Sequence, residues 1–385
     1  MSKPCWRVID RRGKVIQDRA SLVSINQTKR SPTATKSHFT LAGVFASALI
    51  GGAAHAQTGT GFPLLPPVPH TGQLQNQTGA TKFCFVAAGD NRPATEDSPQ
   101  PQVLTQIFKD AQRFKPAFFL SSGDIIYGHE DHHKKLEKQY KEFFGIAQLA
   151  KVPVFNAPGN HEMDKVTKTS TEKIESPDKK LQDYYLEFMK FPANAPPYGA
   201  FDYGNSRFIA VDTEELGGPS PDPSPPPTSS EKLKLDPGFV CQAQLDLLAQ
   251  DLEANKDKSH IFVFMHHPIM PAKSSSGLNP PNAAALEALF KKYPNVSYVI
   301  AAHEHLYYNA TGTTLDPADR QDPSTQGPSY LVSGGAGAPL DHCPGSAGSR
   351  CGSFNHYLLF EVDQDTVKVK VVPVSPGSGK KAHAH

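Results

Sequence analysis

Tryptophan is all but missing from this 385-residue chain, which has one, and cysteine and methionine number five each. None of the cysteines stands at zinc-finger spacing, so a zinc-ribbon scaffold is excluded. A long membrane-spanning run is also lacking. The apolar stretch Phe39 to Ile50 is too short, and too rich in Gly and Ala, to cross a bilayer comfortably. A net charge of one sign is absent too, at +1 overall. That balance hides an asymmetry: residues 1–56 carry nine Lys and Arg against Asp10 and Asp18, whereas the rest carries 30 basic and 36 acidic residues. A chain that is acidic beyond position 56 has no footprint for nucleic acid or for an anionic membrane surface. What remains is apolar content (38%) ample for the core of one large domain or two small ones.

The basic excess belongs to targeting. Lys29, Arg30 and Lys36 precede the apolar run, and Ala54-His55-Ala56 follows it as a small-x-small cleavage signature before Gln57. Residues 1–56 therefore read as a leader, with an uncleaved anchor as the alternative. The expectation is export to the periplasm or the medium, with no stable membrane anchor once the leader is removed. Export permits disulfides. Cys343 and Cys351 flank a Gly- and Ser-rich stretch that a bridge could pin, and that pair is expected; Cys84, in an apolar strand, reads as a buried thiol.

Residues 57–80 form an irregular lead-in rich in Gly, Pro, Thr and Gln, residues 81–374 the folded domain, and 375–385 a polar tail. Apolar runs bounded by turn residues predict strands at 82–88, 117–120, 152–155, 200–203, 207–211, 261–265, 296–302, 330–333, 357–362 and 367–372. Amphipathic spacing predicts helices near 101–114, 134–144, 242–253 and 282–292. The charged stretch 164–180 and the Pro- and Ser-dense stretch 217–237 read as surface excursions.

Five strands end in a ligand-type side chain: Asp90, then Asp124 with Tyr127, Asn160 with His161, His266, and His303 with His305. Each alone has an ordinary explanation, such as a Gly-Asp turn or a helix start. In order, and always after a β run, they predict a shared site at the carboxyl ends of an α/β sheet, where ligands bind in open α/β folds. Carboxylate, phenolate, amide oxygen and imidazole suit iron, manganese or zinc.

The series Gly89-Asp90, Gly123-Asp124-Ile125-Ile126-Tyr127, Gly159-Asn160-His161-Glu162, Val263-Phe264-Met265-His266 and His303-Glu304-His305 resembles the calcineurin-like metallophosphoesterases. Within them it is similar to the purple acid phosphatases, which carry the Asp-x-x-Tyr tyrosine. The resemblance spans roughly 82 to 372. It implies an αββα sandwich of two mixed sheets with metals at the strand ends. It also implies a first metal on Asp90, Asp124, Tyr127 and His305, and a second on Asp124, Asn160, His266 and His303. Tyr127 as phenolate would favour Fe(III) at the first position, with Fe(II), Zn or Mn at the second. Two such cations ~3.5–4 Å apart would clamp a phosphate and generate hydroxide near neutral pH for in-line attack on phosphorus.

Two positions depart from the family pattern. Arg92 stands where the wider family has histidine, and it is either a contact for a substrate phosphate oxygen or a surface charge. Ala302 stands where the family has Gly before His-x-His. His161 is either the proton donor to the leaving group or an orienting group, and His267 falls behind the ligand position or at the substrate. His129, His132 and His133 line the mouth or start a solvated helix. The expected activity is hydrolysis of small phosphate monoesters. The alternatives are phosphodiester cleavage on nucleotides or phospholipid head groups, and a binding protein that has lost turnover. Oligomeric state is left open.

Overall fold

The computed structural model describes residues 61–75, 79–128, 133–163, 181–214, 237–321 and 327–375. The expected leader, the excursion 164–180, the loop through 236 and the tail from 376 lie outside the described residues, as do His129 and His132.

Two sheets stack face to face. The first contains β1 (Lys82–Ala88), β2 (Phe119–Ser121), β3 (Val154–Asn156), β11 (His356–Asp363) and β12 (Thr366–Pro373), in the order β12-β11-β1-β2-β3. The second holds β4 (Gly199–Tyr203), β5 (Ser206–Ala210), β6 (His260–Phe264), β7 (Val296–Ala301), β8 (Tyr307–Asn309), β9 (Ser329–Ser333) and β10 (Cys351–Gly352), in the order β10-β8-β9-β7-β6-β5-β4. Helices α1 (Gln102–Ala111), α2 (His133–Ala147) and α3 (Leu181–Phe188) pack on the outer face of the first sheet. Helices α4 (Gln242–Ala254) and α5 (Pro280–Lys291) pack on that of the second. This is the αββα sandwich expected from the sequence.

The alternation of side chains along a strand builds the layers. In β1, Phe85 and Ala87 point between the sheets while Val86 points to the helices. The Phe85 ring stacks against Phe360 at 4.6 Å and Phe118 at 5.3 Å, with Phe208 and Phe262 edge-on at 5.1 and 4.9 Å. Aromatic contacts of this kind add to the area term, so the centre of the sandwich is held largely by phenylalanine. β1, β2 and β3 run parallel, as do β5, β6, β7 and β9, so their carboxyl ends collect the motif residues.

The strands and helices that the sequence predicts all form, within a few residues. Three further elements are short: α3, which follows the excursion, and the brief strands β8 and β10. Among its described residues the lead-in forms no helix or strand beyond an isolated bridge from Leu64 to Ala200, but it is packed. Phe62, Leu65 and Val68, three residues apart, enter three different apolar clusters, and their amides bond Asp251, Ala200 and Val154. The Cys343–Cys351 bridge forms, with Cα atoms 5.8 Å apart. Cys84 is half-buried rather than fully so, with its thiol 3.1 Å from the Phe114 carbonyl. No helix among the described residues is long and apolar enough to cross a membrane.

His356, at the start of β11, is fully buried and satisfied as a neutral ring: Nδ1–H donates to the Phe354 carbonyl and Nε2 meets the Ser333 hydroxyl. Burial lowers its pKa from 6.5 to about 4. The unfolded chain takes up this proton near 6.5 and the folded chain only near 4. The resulting stability is complete above pH ~6.5 and falls by roughly 3 kcal/mol as the pH drops towards 4. Denaturant midpoints measured between pH 7 and 4 should show this decline, and His356→Gln should flatten it.

Candidate metal centre

At the end of β1, Asp90 turns into the left-handed backbone region with φ 60; Asp124 after β2 has φ 56 and His303 after β7 has φ 69. Such a conformation costs a residue with a Cβ ~1–2 kcal/mol, and Asp and His are among the types that tolerate it best. The turn swings each side chain off the strand line and over the sheet ends. The Asp90 amide donates to the Gly123 carbonyl at 3.1 Å, lashing the first two turns together.

The motif side chains meet around Asp124, which is buried. On one side, ligand atoms of Asp90, Asp124 and His305 lie within 4.8 Å of one another. On the other, His266 Nε2 is 3.3 Å from Asp124 Oδ1 and 2.9 Å from Asn160 Oδ1. His303 Nδ1 is 3.3 Å from the same Asn160 oxygen. Two clusters thus share one carboxylate. The imidazoles are pre-oriented: Nδ1–H of His266 donates to the Ser122 carbonyl at 2.8 Å, and that of His305 to the Pro339 carbonyl at 2.7 Å. In each ring this leaves the Nε2 lone pair aimed inward, as carbonyl-anchored metal ligands require.

At the rim, the Tyr127 ring lies 5.6 Å from that of His161 and 5.7 Å from the Arg92 guanidinium carbon. Arg92 Nε is 3.4 Å from Asp124 Oδ2, and His161 Nε2 is 3.8 Å from it. The His161 amide donates to Asp124 Oδ1 at 3.1 Å, and its ring Nδ1 contacts the Tyr127 carbonyl. His133 is elsewhere, its ring 4.9 Å from that of Tyr184. His267 is 1% exposed, its ring packed against that of His303 at a tilt of 33° with centres 3.9 Å apart, and its Nδ1 2.5 Å from Glu214 Oε1. Buried in this way, it is placed to orient His303 rather than to touch a substrate.

Charge decides what this cluster can hold. Burial, and then the neighbouring Asp124, push the pKa of Asp90 well up, and neither Asp90 oxygen has a hydrogen-bond partner among the described residues. Burial also works against the charge on Asp124, but His266, His161 and Arg92 together hold its pKa well below the usual carboxylate range. Burial lowers His303 strongly and His305 as well, which keeps both rings neutral and able to ligate. An orphaned buried carboxylate, a shared carboxylate, an amide oxygen and neutral imidazoles form a donor set that fits hard or borderline cations.

The calcineurin-like phosphoesterase family model matches residues 85–307. This chain belongs to that family. Among curated relatives, the manganese-dependent ADP-ribose/CDP-alcohol diphosphatase of Mus musculus is 24% identical over 239 residues, covering 54% of this chain and 66% of the mouse protein. Among solved structures, a purple acid phosphatase from seeds of yellow lupin (Lupinus luteus) superposes with a TM-score of 0.53 at 16% identity. That match covers 77% of this chain and 52% of the lupin chain. PhoD superposes with a TM-score of 0.50 at 12% identity, covering 77% of this chain and 70% of that one. The chain thus spans about half of the lupin protein and about two thirds of the mouse one, and the structural likenesses speak for the phosphoesterase fold alone.

Family membership implies a dinuclear centre, and several residues that support it are not evident from the motif pattern. Glu162, fully buried, accepts the amides of Asp124, Ile125, Ile126 and Gly159 at 2.8, 2.9, 3.2 and 2.8 Å. Burial and Asp124 raise its proton affinity, and these amides oppose the rise. Gln139 takes the Tyr127 amide at 2.7 Å. Glu304 accepts the amides of Ala272 and Lys273. The only sequence signal for the two acids is their place inside the motifs, Glu162 two residues after Asn160 and Glu304 between His303 and His305. Gly159 is obligatory, because a Cβ there would lie 2.4 Å from Asp124 Oδ1. Ala302, the departure from the family's glycine, is accommodated by Gly89, where an added Cβ would lie 2.5 Å from the Ala302 methyl.

Glu162→Ala leaves four amides without their acceptor. Unfolding experiments should show a loss of roughly 3 kcal/mol, and metal titration at least a 10-fold weaker site. Glu162→Gln, which keeps one carbonyl oxygen, should fall between this variant and the parent.

Proposed function

We propose that this protein is an exported dinuclear phosphoesterase that hydrolyses small phosphate monoesters. The observation that carries the reading is the convergence of Asp90, Asn160, His266, His303 and His305 on the shared carboxylate of Asp124. Asp90, Asp124 and His305, with Tyr127 at the rim, would hold the first cation; Asp124, Asn160, His266 and His303 would hold the second. When bound, the pair supplies Lewis acidity at a phosphoryl oxygen and a water acidic enough to react near neutrality.

The remaining roles fall to residues around the cations. Arg92, with its guanidinium beside Asp124 and Tyr127, presents a planar fork to a non-bridging phosphate oxygen. A monoester offers that fork one more anionic oxygen than a diester does. His161, with Nε2 3.8 Å from Asp124 Oδ2, would pass a proton to the leaving oxygen. Tyr127 as phenolate favours Fe(III) in the first position, with Fe(II), Zn or Mn in the second. The cleavage signature and the Cys343–Cys351 bridge support export to the periplasm or the medium. A second reading, cleavage of a phosphate diester or diphosphate bond, is favoured by the name of the mouse relative.

Purified mature protein, analysed for metal and assayed on a monoester and a bis-ester of the same leaving alcohol, tests these readings. Two metals per chain, a visible tyrosinate-to-iron band and preference for the monoester are expected. Fully active, iron-free, colourless protein would refute the iron assignment, and bound metal with no turnover of either ester would refute the enzyme. Chelation should abolish activity, and the same metals should restore it. Arg92→Ala should lower kcat/KM for the monoester about 100-fold and for the diester far less. Amino-terminal sequencing of protein from the medium or periplasm should begin at Gln57.

A further inference from the structure

The segment from Gly334 to Gly352 wraps one of the two clusters and leaves the other alone. Its Ala336 and Ala338 amides donate to the Gly89 and Asp90 carbonyls at 3.1 and 2.8 Å. The Pro339 carbonyl takes the His305 ring N–H. Asp341 closes a two-way bond with His305: Oδ2 accepts the His305 amide at 3.2 Å, and its own amide donates to the His305 carbonyl at 2.9 Å. Lys273 Nζ lies 2.9 Å from Asp341 Oδ2, and the Ser353 hydroxyl donates to the Asp341 carbonyl at 2.6 Å.

Two residues after Asp341, Cys343 begins the disulfide to Cys351. Cys351 and Gly352 pair as β10 with Tyr308 and Tyr307 of β8, the strand that directly follows His305. The bridge therefore ties the loop that grips His305 to the strand that begins two residues after it. Among the described residues, no hydrogen bond joins this loop to Asn160, His266 or His303. Both cysteines are partly exposed, within reach of a reductant.

We propose that this disulfide-closed loop, acting through Asp341, sets the metal affinity of the first cluster, and that opening Cys343–Cys351 releases the cation held there while the second stays. Asp341 is a positioning residue, because it touches His305 and not the reacting atoms. The inference rests on the dinuclear reading above. Reduction by a phosphine is balanced: the phosphine takes the oxygen of one water and becomes its oxide, and the two protons of that water convert the disulfide sulfurs to thiols.

The test uses full-length protein loaded with Mn(II), followed by metal analysis and electron paramagnetic resonance. Oxidised protein should hold two ions per chain with an exchange-coupled signal. After phosphine treatment, with alkylation of both Cys343 and Cys351 verified by peptide mapping because Cys241 is also disulfide-bonded, first-cluster affinity should fall 10–100-fold, leaving one ion and an isolated Mn(II) signal. Oxidised Asp341→Ala should lose the same ion. Asp341→Asn, which keeps an oxygen for the His305 amide, should retain it better. Should reduction unfold the chain, the oxidised Asp341 pair decides. Retention of both ions, or joint loss of both from folded protein, overturns the inference. No ion on the oxidised protein overturns the dinuclear reading itself.

Discussion

A carboxylate that is 2% exposed, on the turn after β2 and facing His266 from the end of β6, is the constraint on which the rest of this structure depends. Moving an ion out of water costs several kcal/mol even after the surroundings relax. Asp124 meets that cost by facing His266, His161 and Arg92. Asp90 adds a second acid that these partners do not satisfy. A buried carboxyl with raised proton affinity and no hydrogen-bond partner is a donor that a bound cation would satisfy, which is what separates the cluster from a buried salt-bridge network. The neutral imidazoles supply donor atoms without adding to the positive charge.

Such a cluster needs backbone in an uncommon conformation, and the chain holds it there with acids that never reach the centre. Glu162 gathers four amides from two separate turns, and Glu304 gathers two from the segment after β6. Each acts as a local counter-charge to amide dipoles that would otherwise point into a dry interior. The left-handed turn at Asp124 is therefore over-determined, which is how local strain persists at functional sites.

The strand ends were legible because each motif residue lies within a few positions of an apolar β run, and both signals survive in a single sequence. The layered fold followed from the same runs with the helices between them. The supporting residues were not legible, because they act across the fold: Glu162 reaches back to the turn at Asp124, and Gln139 supports Tyr127 from the buried face of α2. β8 and β10 are too short for periodicity to mark, and each exists through its neighbour. The doublet His266-His267 looks symmetrical in sequence. In the fold one ring is clamped on the Ser122 carbonyl beside Asp124 and the other on Glu214 behind His303, because consecutive residues leave a strand end in different directions.

The packed lead-in bears on the order in which the chain can assemble. The amide of Phe62 finds its acceptor on Asp251, 189 residues further along. While the polypeptide is being made, a segment near its beginning must wait, apolar side chains uncovered, until α4 has appeared. Closing so wide a loop is entropically slow, and contacts between distant positions form late. The seam at the amino-terminal edge of the domain therefore stays open until α4 has been made, an interval in which a holding chaperone can bind.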